Sequence, residues 1–133
     1  AFVSHAFDPA SGRFHNFMSH SRLWVDQFGS EDSHGRALWA LGTVVGRSSD
    51  PGRHSLAGAL FHSALSAVSE FRSPRAWAFA LLGIEQYLRA FEGDRNVQAS
   101  GRAIAERLAT VRDSASVDAA PAQSKNINKI NNL

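Results

Sequence analysis

The sequence predicts an all-α fold: two antiparallel helical hairpins preceded by a short N-terminal hairpin or extended arm. Three observations carry this. Between Ser30 and Asp113, apolar residues recur at helical spacing in four segments. Chain breakers separate the segments, at Ser48-Ser49-Asp50-Pro51-Gly52, at Ser73-Pro74 and at Gly93-Asp94. Segments apolar on nearly every side alternate with segments apolar on one side. Short connections make sequence neighbours antiparallel, so the alternation sorts the helices into an inner and an outer layer.

Residues 1–29 form the arm. Phe2, Phe7, Phe14 and Phe17 lie around the turn-forming stretch Asp8-Pro9-Ala10-Ser11-Gly12, and little helix is expected there. Residues 30–113 form the four-helix domain. Ser30 or Asp32 can cap the first helix, whose centre, Ala37 to Leu41, is apolar all round and marks an inner helix. After Pro51, Leu56, Leu60, Ala64, Val68 and Phe71 form one stripe, the mark of an outer helix. Ser73-Pro74 opens the second inner helix, because proline at the first helical position loses no hydrogen bond. That helix runs through Ala76 to Leu82 and narrows to Ile84, Leu88 and Phe91. Gly93 ends it, Asp94 caps the next, and Val97, Gly101, Ile104, Leu108 and Val111 give the second outer helix one apolar face. Residues 114–133, rich in Ala, Asn and Ser, are expected to be a flexible tail or a loosely docked appendage.

Composition narrows the function. The chain has 133 residues, 44% of them hydrophobic and 20% charged, which suits one globular domain. With no cysteine, disulfides, thiolate catalysis and cysteine-built zinc sites are excluded, and a reducing, cytoplasmic location is the expectation. No apolar run approaches the roughly 20 residues that span a bilayer, so no membrane partner is expected. The formal charge is only +2 and the arginines are scattered among acidic residues, which argues against nucleic acid.

The stretch GRFHNFMSHSRLWVDQFGSEDSHGRALWALG, together with SPRAWAFALLGIEQYLRAF, resembles a segment of the helical toroid appended to some bacterial glycosyltransferases. The resemblance runs from about Phe14 to Asp113 and amounts to a partial match, about half a toroid. Its most specific part is Gly29-Ser30-Glu31-Asp32-Ser33-His34-Gly35-Arg36. The resemblance implies a six-hairpin-like architecture in which inner helices ring a sugar-binding mouth and outer helices support them.

Glu31, Asp32, His34 and Arg36 fall within six positions at a loop-to-helix junction, where several polar groups could converge on a ligand. Helix capping and a first turn matched to the helix dipole explain Ser30, Glu31 and Asp32 but not His34 or Arg36. Asn16, between Phe14 and Phe17, could offer a polar edge beside aromatic rings, although such spacing more often means core. Trp24 is the freer of the tryptophans, whereas Trp39 and Trp77, set in all-apolar helices, are most simply core. Six histidines show no i, i+4 pair on a predicted helix and no HExxH, so no metal site is expected, and no cofactor motif is present.

Two functions follow from this sequence. One is an accessory, carbohydrate-associated module whose ligand-facing residues are Glu31, Asp32, His34, Arg36, Asn16 and Trp24. The alternative is a structural or interaction protein that pairs with another copy or a partner protein through its apolar inner helices. An autonomous enzyme is disfavoured, since glycosidase chemistry needs two carboxylates about 5 to 10 Å apart across a sugar, and adjacent residues on one turn point apart.

Overall fold

A computed structural model describes the backbone of residues 2–131 and the side chains of residues 2–115. The fold is all-α, as the sequence predicts. Helix α1 (Phe2–Ala6) leads into a two-stranded ribbon, β1 (Phe7–Asp8) and β2 (Arg13–Phe14). Then come α2 (Glu31–Arg47), α3 (Pro51–Leu65) with a 3-10 extension (Ser66–Glu70), α4 (Pro74–Leu88) and α5 (Arg95–Asn131). Over the stretch expected to be a tail, 114–133, the backbone continues α5 as far as Asn131, and the side chains from 116 on lie outside the described residues.

The arm follows its turn chemistry. Asp8 accepts hydrogen bonds from the Ala10 and Ser11 amides at 3.1 and 3.2 Å, and Gly12 takes the positive φ of 69° that closes the turn. Phe7 then pairs with Phe14 and Asp8 with Arg13. The one-turn helix α1 departs from the expectation of an extended start.

Contacts give the directions of the helices. Val45 faces Gly58 and His34 faces Ala64, so α2 and α3 are antiparallel. Tyr87 meets Asp94 and Ile84 meets Gly101, so α4 and α5 are antiparallel too. The inner helices run parallel: Gly35 lies on Ala76, Gly42 on Gly83 and Gly46 on Gln86. Here glycine is required by close approach. A Cβ on Gly42 would meet the Gly83 carbonyl oxygen, and one on Gly83 would stand 2.6 Å from the Leu38 carbonyl. The backbones of α2 and α4 therefore touch, which fixes both helices in rotation as well as in register.

The core lies between the layers and includes Leu38, Val45, Phe61, Ala64, Val68, Ala80, Ile84, Tyr87, Val97 and Ile104. Two details differ from the sequence reading. The buried side of α3 is Ala57, Phe61, Ala64 and Leu65, and Leu56 is 48% exposed. The cause is that α3 is apolar on more than one side, so periodicity alone does not orient it. Trp77 is core, with its indole N–H bonded to the Phe71 carbonyl at 3.2 Å, but Trp39 is 42% exposed. Trp39 lies beside Phe79 of α4 with much of its ring open to solvent, and the expectation that it is core is corrected.

Candidate functional site on the inner helix face

The junction at the start of α2 holds the loop before α4. Ser30 caps α2, its hydroxyl accepting from the Ser33 amide at 3.1 Å. Glu31 reaches out of its own helix to accept the Arg72 amide at 2.6 Å. Asp32 accepts the Ser73 hydroxyl at 2.9 Å and lies 3.5 Å from the Arg75 guanidinium. Ser73 in turn caps α4 through the Ala76 amide. The acidic first turn of one inner helix thus anchors the cap of the next.

His34 does not share that surface. It is 1% exposed, bonded through Nε2 to the Ala64 carbonyl at 2.8 Å, and packed between Phe14 and Phe71 at ring distances of 5.2 and 5.1 Å. Because a carbonyl only accepts, Nε2 carries the proton, and buried Nδ1 has no protein partner. Burial, helped by the nearby Arg13 charge and opposed by the Ala64 bond, lowers its pKa to about 4. His34 is neutral at physiological pH and serves the core.

Asn16 and Trp24 belong to the arm. The Asp26 carboxylate accepts the Asn16 and Phe17 amides at 2.7 and 3.3 Å, and Trp24 stacks on His15 at 4.9 Å. Gly29 brings Asn16 close to the start of α2, since a Cβ there would lie 2.8 Å from Asn16 Cβ and 2.9 Å from Ser33 Oγ. Half-buried Trp24 instead lies in a cluster with Phe2, His5 and His15.

Of the six predicted positions, Asp32 and Arg36 share one surface. That surface is the open face of the parallel pair α2 and α4, and cross-helix contacts run its whole length. Asp32 pairs with Arg75; the Arg36 guanidinium lies 5.3 Å from the centre of the Phe79 ring; Trp39 stacks on Phe79 at 5.9 Å and 17°; and Arg47 Nε donates to Gln86 Oε1 at 3.0 Å. Leu82, 39% exposed, continues the apolar middle. The result is an aromatic ledge with hydrogen-bonding groups at both ends. Sequence reasoning missed Trp39, Arg47, Arg75, Phe79 and Gln86. A signal was present: Asp32, Arg36, Thr43 and Arg47 recur at helical spacing through an otherwise apolar helix, and that polar stripe marks the open side.

A second polar cluster joins α3 to the start of α5. Tyr87 donates to Asp94 at 2.8 Å and accepts from His62 Nε2 at 2.6 Å, and His62 Nε2 also lies 3.0 Å from Asp94. Burial, reinforced by the Asp94 carboxylate, raises the Tyr87 pKa. Partial burial pushes the Asp94 pKa up, but hydrogen bonds from Tyr87 and the Val97 amide hold it below the usual range. A shallow groove of about 330 Å³ beside it is lined by His54, His62, Tyr87 and Phe91. Since Asp94 also caps α5, this cluster ties the two hairpins together. An open groove of about 760 Å³ lies between the 3-10 segment and α5, lined by Phe71, Trp77, Arg107 and Val111 among others.

Among the described residues, no group of three His, Asp or Glu side chains is placed to hold a metal ion, and no helix is long and apolar enough to cross a membrane. Comparison with protein-family models, curated proteins and solved structures finds no match for this chain.

Proposed function

We propose that this chain is an accessory carbohydrate-binding helical module whose ligand lies along the open α2/α4 face. The observation that carries this reading is the exposed Trp39 ring, backed by half-buried Phe79 and bracketed by Asp32, Arg36 and Arg75 at one end and by Arg47 and Gln86 at the other. Sugar rings present an apolar C–H face and a rim of hydroxyls, and a flat aromatic ledge with polar ends matches both. The reading is non-catalytic: Glu31 and Asp32, the adjacent carboxylates, are both committed to the 72–75 segment, so neither faces the other across a sugar. Titration of a panel of soluble oligosaccharides, followed at the indole N–H resonances, tests it. A shift of the Trp39 signal that vanishes in Trp39→Ala is expected; unmoved resonances across the panel would sink the reading.

A second reading, in which the same face seats another copy of this chain, draws on its apolar middle of Trp39 and Leu82, both exposed. Light scattering separates the two. A dimer that becomes a monomer on Leu82→Asp favours pairing, and a wild-type monomer favours the sugar.

A further inference from the structure

Resting on the carbohydrate reading, the charges along the α2/α4 face narrow the ligand class. Asp32 is neutralised by Arg75. Exposed Glu85, beside Gln86 on α4, makes no ion pair among the described residues and leaves one negative charge near the Arg47 end. Arg36 and Arg47 remain, both exposed, and among the described residues neither lies within ion-pair distance of a carboxylate. Arg36 rests against the Phe79 ring and Arg47 is oriented by the neutral Gln86 amide, so each guanidinium is positioned without its charge being satisfied. They lie on one side of α2, eleven residues apart, which is about 16 Å along the axis or roughly three linked pyranose rings, with Trp39 between them.

We infer that the ligand is an acidic oligosaccharide, one ring stacked on the exposed Trp39 ring and carboxylate groups on flanking rings held by Arg36 and Arg47. Guanidinium is suited to this role because its planar fork matches a carboxylate. A neutral chain would leave both charges unused.

Calorimetric titration of the full chain at low salt with tetragalacturonate, neutral cellotetraose and oligothymidylate is the test. An exposed guanidinium–carboxylate contact contributes about two- to fivefold in affinity. Tetragalacturonate should therefore bind about tenfold more tightly than cellotetraose, and added salt should narrow the gap. Arg36→Gln and Arg47→Gln should each lower the ratio of the two affinities by about two- to fivefold, and Trp39→Ala should weaken both ligands. Equal affinity for the acidic and neutral sugars overturns this inference and leaves the carbohydrate reading standing. Failure of both sugars overturns the two together. Tighter binding of oligothymidylate than of tetragalacturonate replaces an acidic sugar with a single-stranded nucleic acid, which also uses aromatic stacking beside basic groups.

Discussion

The two sides of α2 reverse the usual placement of residue types. The side toward α3 and α4 buries a histidine, His34, with Leu38, Leu41 and Val45, while the opposite side exposes a tryptophan, Trp39, among Asp32, Arg36, Thr43 and Arg47. Residue type alone would put Trp39 inside and His34 outside. What decides is the glycine seam of Gly35, Gly42 and Gly46, which presses α2 onto α4 and leaves the helix no freedom to rotate. Within that constraint His34 must be buried, and it finds the Ala64 carbonyl; Trp39 must be open, and it finds Phe79.

The neighbours Leu38 and Trp39 give the sharpest contrast. Leu38 is fully buried, so Leu38→Ala should cost about 3 kcal/mol through lost burial and the cavity left behind. If chemical denaturation finds Leu38→Ala nearly neutral, α2 is not rotated as described.

The histidine side should also respond to pH. The His34 pKa is depressed from 6.5 to about 4 in the fold, so between those values the unfolded chain binds the proton that the folded chain refuses. Stability should be greatest above pH 6.5 and fall by up to about 3 kcal/mol as the pH drops to 4. Asp8, Asp26 and Asp94, whose pKa values are lowered, contribute in a different window: their stabilisation is present above their ordinary value of 3.8 and is lost only below it. Urea unfolding at pH 7 and pH 4.5 isolates the histidine. The difference should largely disappear in His34→Phe, and a slope that survives that substitution would place its source elsewhere.

How much of this could be read from the sequence depends on what each feature rests on. Helix positions and ends rest on local signals, and Ser30, Asp50, Ser73 and Asp94 cap helices in the fold. Inner and outer layers rest on one-sided against all-round apolarity, which is also local but does not hold for α3, whose apolar residues fall on more than one side. Rotation of α2 has one local signal, the polar stripe of Asp32, Arg36, Thr43 and Arg47; residue type does not separate the equally apolar Trp39 and Leu38, and the seam with α4, about 41 residues away, is what fixes which of them is buried. The same separation hid the partners of the candidate site. Glu31 and Asp32 have the appearance of dipole-matching residues until Arg72 and Ser73 are brought beside them. The His62–Tyr87–Asp94 cluster was illegible for the same reason, since its members come from α3, α4 and the loop before α5.

On the open side, effects on stability should be small even where effects on binding are large. Trp39→Ala removes a half-exposed ring and its stacking with Phe79, worth about 1 kcal/mol. The protein should stay folded at room temperature with its far-UV spectrum unchanged. A loss comparable to that of Leu38→Ala would mean that Trp39 is a structural residue and that the ledge is part of the core.

The smallest effect belongs to the Asp32–Arg75 pair. Its Arg75 side chain is 70% exposed and the separation is 3.5 Å, so water screens most of the attraction. A double-mutant cycle with Asp32→Asn and Arg75→Gln should give a coupling of only about 0.2 to 0.5 kcal/mol, shrinking further with added salt. The single variants should differ from each other. Asp32→Asn keeps an oxygen that can still accept the Ser73 hydroxyl, while Arg75→Gln leaves the Asp32 charge beside Ser73 without its counter-ion. A coupling well above 1 kcal/mol would show the pair shielded from solvent, and the open face would then have to be covered at its N-terminal end.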